Sequence, residues 1–187
     1  MTKDAAKAKE MKEQGNTYYL AKQYLDAADC YTLALEFCPD DEGERENKAV
    51  YFSNRAACHL RLEDFQQVVN DCTEALTIKP KYVKALLRRA EAHERLEKYD
   101  LAVADLKELV TAPPEEAPPK VVQKALTDID RLQKLHEEKM EQLKDEALGK
   151  LKELGNSLLG HFGLSLDNFK VNQDASGGGG YNISFNK

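Results

Sequence analysis

A unit of 34 residues recurs along the chain, and this period limits the fold more than any other feature. Three copies align without internal gaps at residues 8–41, 49–82 and 83–116. Their eighth positions are small: Gly15, Ala56 and Ala90. Position twenty holds Ala27, Val68 and Ala102, and position seventeen is aromatic in each copy: Tyr24, Phe65 and Tyr99. Apolar residues fill position four (Met11, Phe52, Leu86), position twenty-four (Tyr31, Cys72, Leu106) and position twenty-seven (Ala34, Ala75, Leu109). This spacing describes two helices per copy. Small residues let the two helices approach closely, and the aromatic packs across their junction. Each second helix then meets a proline, Pro39, Pro80 or Pro114, which lacks the N–H that a further helical turn needs. One helix pair cannot bury its own apolar face, so the copies must stack and share a core.

The bulk composition fits a folded, water-soluble chain. Of the 187 residues 32% are charged and 42% hydrophobic, with a net charge of −6. An acidic balance argues against nucleic acid as a partner, and any cationic site must be local. No apolar run approaches the ~20 residues a membrane span needs. The first residues, "MTKDAAKAKEMK", carry no apolar core of the secretory kind, so cytoplasm is the expected address, with the nucleus as the other option. Cys30, Cys38, Cys58 and Cys72 lack metal-ligand spacing and read as reduced thiols. The four histidines are dispersed, with His59 and His93 at the position that Tyr18 fills in the first copy. Neither a catalytic constellation nor a cofactor or metal motif is present, and the chain reads as non-enzymatic.

The alternation of small and large positions in residues 8–116 resembles the tetratricopeptide repeat. The resemblance implies an all-α fold of three helix-turn-helix repeats stacked as a right-handed solenoid, whose first helices line a concave surface. The family usually has leucine at position seven, where this chain has Gln14, Arg55 and Arg89. That departure reads as tolerable, with Arg89 turned from the groove toward solvent or packing. The charged insert "EGERENK" between the first two copies would lengthen a flanking helix or form a loop.

Within the first helices, Lys12 and Asn16 lie one turn apart, Asn54 comes from the second copy, and Lys84 and Arg88 again lie one turn apart. Cations and amide donors with no carboxylate among them suit negative oxygen atoms. The set resembles the two-carboxylate clamp of chaperone-binding tetratricopeptide adaptors. By that resemblance Lys12, Asn16, Asn54, Lys84 and Arg88 bind the acidic C-terminal peptide, of "EEVD" type, of seventy- and ninety-kilodalton heat-shock chaperones. The alternative is a scaffold for a folded signalling partner, with an incidental basic groove.

The chain divides on this reading into a repeat domain at 1–116, a proline-rich break and long capping or projecting helix at 117–154, and an appendage at 155–187. "TAPPEEAPP" supplies the stiff break, and Lys120 to about Leu154 is strongly helix-forming. Residues 120–187 could offer a second protein partner, or another copy, a surface. In the appendage a helical segment precedes "FKVNQD" and "YNISFN", which alternate like two strands around "GGGG". Because an isolated hairpin is marginal, Phe169, Val171, Tyr181, Ile183 and Phe185 are expected to pack on "GNSLLGHFGLSLDNF". The run from "LGKLKELGNSLL" through "FGLSLDNF" extends the resemblance to nearly the whole chain.

Overall fold

The computed structural model describes residues 3–166 and the backbone of 169–173 and 181–185. Two compact units divide the chain, Met1–His136 and Glu137–Lys187, and each is described by itself. In the first unit six helices alternate as three antiparallel pairs: α1 (Ala5–Leu20) with α2 (Tyr24–Phe37), α3 (Arg45–Arg61) with α4 (Phe65–Ile78), and α5 (Val83–Arg95) with α6 (Tyr99–Val110). The seventh, α7 (Pro119–Gly160), opens with proline at its first turn, where the missing N–H costs nothing. The charged insert lengthens α3 by four residues, from Lys48 back to Arg45, behind a short turn held by Glu44 N donating to Asp41 Oδ1 (3.0 Å).

Each first helix ends in the same way. Lys22, Glu63 and Glu97 take positive φ values of 62°, 59° and 54°. The next amide closes five residues back: Gln23 N on Tyr18 O (2.9 Å), Asp64 N on His59 O (3.0 Å) and Lys98 N on His93 O (2.8 Å). This is the left-handed helix stop usually built on glycine, built here on long polar residues.

Sizes match between the paired helices. Gly15 faces Tyr31 so closely that a β-carbon there would lie 2.9 Å from Cε1. In the other copies alanine stands at this position, and Ala56 and Ala90 share one buried cluster with Cys72 and Leu106. The core continues from the second and third repeats into Ala125, Ile129 and Leu132 of α7. All four cysteines are buried free thiols, and burial pushes Cys58 and Cys72 up to about 12.

The arginines at position seven are structural. Arg55 forks onto Asp71 through Nε (3.0 Å) and Nη2 (2.6 Å), while its Nη1 donates to Thr32 of the preceding repeat (3.0 Å). Arg89 does the same with Asp105 (3.0–3.1 Å from Nε, 2.6 Å from Nη2) and with Thr73 of its preceding repeat (3.1 Å). His59 and His93 set Nε2 at 3.8 Å from the same carboxylates. Asp71 and Asp105 are buried, so each charge is matched where water cannot reach it. Of the two roles expected for Arg89, solubility or packing, the structure gives it the second: it ties helix pair to helix pair.

In the second unit α7 runs on to Gly160, where "LLGHFG" closes it with Gly163 at φ 69° and Leu164 N on Leu159 O (3.0 Å). The separate helix expected in the appendage is thus the continuation of α7: the glycines at 149 and 155 do not stop it, since a glycine inside a helix costs only ~1 kcal/mol. After the turn Leu166 sits over Gly155, and Asn156 Oδ1 accepts from Leu166 N (2.6 Å) and Ser165 Oγ (3.1 Å). Strands β1 (Phe169–Gln173) and β2 (Tyr181–Phe185) pair antiparallel, Phe169 opposite Phe185 and Val171 opposite Ile183. The expected packing of their side chains lies outside the described residues. No helix among the described residues is long and apolar enough to cross a membrane.

Candidate functional site

Helices α1, α3 and α5 present the predicted anion-binding side chains. Their positions follow from the packing beneath them. Gly15 admits Tyr31 against α1, and the Tyr31 hydroxyl then donates to Asn16 Oδ1 (2.8 Å). With its oxygen occupied, the amide turns its Nδ2 outward as a donor. Burial raises the Tyr31 hydroxyl well above its usual range, so it stays protonated and keeps donating.

Arg88 is anchored by the second repeat. Its Nη1 donates to Ser53 O (2.9 Å) and Ser53 Oγ (2.6 Å), and Ser53 is buried. Asn54, the next residue on α3, is half-buried and has no hydrogen-bond partner among the described residues. The same guanidinium acts electrostatically on Tyr31, opposing the upward shift of that hydroxyl. Arg88 thus lies within reach of side chains from α2 and α3, which in turn hold Asn16 and carry Asn54. Lys84, one turn earlier on α5, is exposed and has no hydrogen-bond or ion-pair partner among the described residues.

The first repeat differs. Lys12 lines a small cavity of about 150 Å³ with Tyr51 and Asn47 of α3, which puts it on the α1 face turned toward α3. Yet Glu13 stands beside it: Lys12 Nζ lies 2.7 Å from Glu13 Oε1, and Asn16 Nδ2 donates to Glu13 Oε2 (3.1 Å). Hydrogen bonds and charge from Lys12 and Asn16 hold the Glu13 carboxyl below its usual range. The donor set read from sequence as free of carboxylates is free of them around Lys84 and Arg88 only. At the first repeat the immediate chain neighbour supplies one. Glu13 is highly exposed, so water and salt weaken that pairing.

Three participants were not legible beforehand: Ser53, Tyr31 and Glu13. Ser53 is buried among apolar neighbours, and a serine directly before an asparagine carries no signal of its own. Tyr31 read only as a core residue. Glu13 was visible as the residue between Lys12 and Gln14, but helical phase alone turns it ~100° from Lys12 and hides the reach of its side chain.

Beyond Arg88 the surface continues into an open cavity of about 640 Å³ between α5 and the first turns of α7, lined by Leu87, Glu91, Lys124, Asp128 and Leu132 among others. Arg131 closes its far side with a two-pronged pair to Glu94, 2.7 and 3.0 Å. Among the described residues no three histidines, cysteines or carboxylates gather to hold a metal ion.

Known proteins of similar sequence and shape carry the same repeats. The family described as "Tetratricopeptide repeat" matches residues 83–116. The mitochondrial import receptor subunit TOM70 of Rattus norvegicus is 40% identical over 83 residues, 44% of this chain, which thereby spans only 13% of that receptor's length. Among solved structures, the Arabidopsis OM64 TPR domain is 38% identical with a TM-score of 0.58, and the match covers 70% of this chain and 97% of that one. The first TPR of Spaghetti (RPAP3), bound to the HSP90 peptide SRMEEVD, is 28% identical with a TM-score of 0.59, covering 72% of this chain and 96% of that one.

Proposed function

The chain belongs to the tetratricopeptide repeat proteins, and from that premise we propose that it is a non-catalytic adaptor or co-chaperone of the cytoplasm. Its groove takes the acidic C-terminal peptide of seventy- and ninety-kilodalton heat-shock chaperones in a two-carboxylate clamp of Lys12, Asn16, Asn54, Lys84 and Arg88. The observation that carries this reading is the third-repeat pair. Arg88 is braced on Ser53 and Lys84 is left without an internal acid, in a chain whose relative RPAP3 is seen with a peptide ending in EEVD. A partially buried cation held by neutral oxygens keeps its full charge for an incoming anion.

The peptide's terminal carboxylate and the side chain of its last aspartate lie close together and offer four oxygens to these donors. Hydrogen bonds to charged groups contribute ~1.5–3 kcal/mol each, from which the ordering of a flexible tail subtracts. A net near −8 kcal/mol corresponds to a dissociation constant of about a micromolar. Binding is therefore reversible and weakens with salt. Beyond the repeats, "LGKLKELGNSLL" and "FGLSLDNF" resemble the C-terminal region of tetratricopeptide repeat protein 1, and this resemblance supports an adaptor of that kind.

Titration calorimetry with a free-acid peptide ending in MEEVD tests the clamp. Lys84→Glu should weaken capture at least ~100-fold, the loss of an attraction and the gain of a repulsion. Amidating the peptide's end should do nearly the same. Equal affinity in both experiments would discard the clamp and leave the groove to another partner.

A further inference from the structure

The exposed face of α5 does not end at its two cations. Lys84, Leu87, Arg88 and Glu91 recur at three- and four-residue steps and share one face, opposite the buried Leu86 and His93. Leu87 and Glu91 form one wall of the open cavity of about 640 Å³, and α7 forms the other with Lys120, Val121 and Lys124. Leu106 and Ala125, both buried, also line it and give it an apolar floor.

The charges around this cavity are unevenly matched. Arg131 forks onto Glu94 and lies 3.4 Å from Asp128, which occupies both of those acids. Lys120 and Lys124, one turn apart, are exposed and have no hydrogen-bond or ion-pair partner among the described residues. Asp128 stands one turn beyond Lys124 but is held by Arg131. Of the lining acids Glu91 remains, and it acts electrostatically on Arg61 of α3. The two lysines also open α7, whose first turn holds no acid, at the end where the helix dipole disfavours cations. Nothing internal to the fold accounts for a pair of free cations there.

We propose that this face of α7 is a second wall of the peptide groove, on which Lys120 and Lys124 take the two glutamates of an EEVD-type tail. The proposal rests on the clamp reading above. In that reading Lys84 and Arg88 hold the terminal carboxylates, so the two glutamates are left without cations. They stand two and three residues before the last, ~7–10 Å back along an extended chain. Packed helices lie ~8–10 Å apart, so a tail that leaves Lys84 and Arg88 over the exposed Leu87 carries its glutamates to α7.

Titration calorimetry with two free-acid peptides, ending in MEEVD and MQQVD, tests the second wall. The peptides share their terminal carboxylates and differ only in the two glutamates. The first should bind the native chain about 5-fold more tightly, the gain expected from two exposed ion pairs. With Lys120→Ala and Lys124→Ala together the two peptides should bind alike. Lys120→Arg with Lys124→Arg keeps both charges and should keep the preference. Equal binding of the two peptides by the native chain overturns the proposal and leaves the clamp standing, and so does a preference that survives the alanine pair. Should the native chain take up neither peptide, or take up an amidated one as readily, the clamp itself falls and the second wall with it.

Discussion

The first repeat and the two that follow it solve the same packing problem with different chemistry. In the second and third, a position-seven arginine spans a buried aspartate of its own pair and a threonine of the pair before, with a histidine alongside. In the first, the equivalent residues are Gln14, Cys30 and Tyr18, and no charge is buried. Among the described residues no helix pair precedes the first, and none of its side chains makes such a tie. Buried ion pairs here mark the junctions between repeats. The first repeat instead uses its freedom at Gly15 to seat Tyr31, which orients Asn16 at the groove.

Several measurements would break or sharpen this contrast. The largest effect belongs to Asp105→Ala, which strands Arg89 among partly buried neighbours and should cost about 3 kcal/mol in urea unfolding. Cys30→Ala, at the matching place in the first repeat, should cost about 1 kcal/mol. Equal costs would remove the junction role from the arginines. Gly15→Ala drives a β-carbon into the Tyr31 ring and should cost about 1–3 kcal/mol, with a weaker peptide affinity from the displaced Asn16. A stable Gly15→Ala protein with unchanged binding would disconnect Tyr31 from the groove.

Acid should act through the third repeat. Burial lowers the affinity of His93 for a proton, opposed by Asp105 and Asp100 and assisted by Arg89 and Lys98, and its Nδ1 has no partner. The unfolded chain therefore takes the proton first, and the folded state loses stability as pH falls below ~6.5. His93→Gln should flatten the fall in melting temperature between pH 7 and pH 5; an unaltered slope would assign it to other groups. In binding, Glu13→Gln should tighten peptide capture by freeing Lys12 and Asn16, and a weaker affinity would mean that Glu13 helps to orient them. The smallest effect is Glu63→Gly at the left-handed helix stop, a gain of up to ~1 kcal/mol, less the extra freedom that glycine has when unfolded.

The repeat was legible because helix packing repeats itself: small residues at positions eight and twenty, an aromatic at seventeen, proline past the end. The turns after α1, α3 and α5 gave no such sign. Lys22, Glu63 and Glu97 adopt the left-handed conformation without glycine, and only the closing hydrogen bonds reveal it. Of the candidate site, Lys12 and Asn16, and again Lys84 and Arg88, stand one turn apart within single helices, which sequence can show, while Asn54 stands alone on α3. Their supports could not be seen there, since Ser53 lies 35 residues from Arg88 and Tyr31 lies 15 from Asn16.

Local periodicity thus determined that the chain folds as stacked helix pairs, because hydrophobic burial at 3.6 residues per turn is written in the order of residues. Tertiary structure alone decided which charges are matched by buried acids and which are not. Arg88 and Arg89 are adjacent and chemically identical, yet one donates to a buried serine while the other is locked to a buried aspartate. A charge takes its role from the partners that folding brings within ~4 Å, and those partners are far away along the chain.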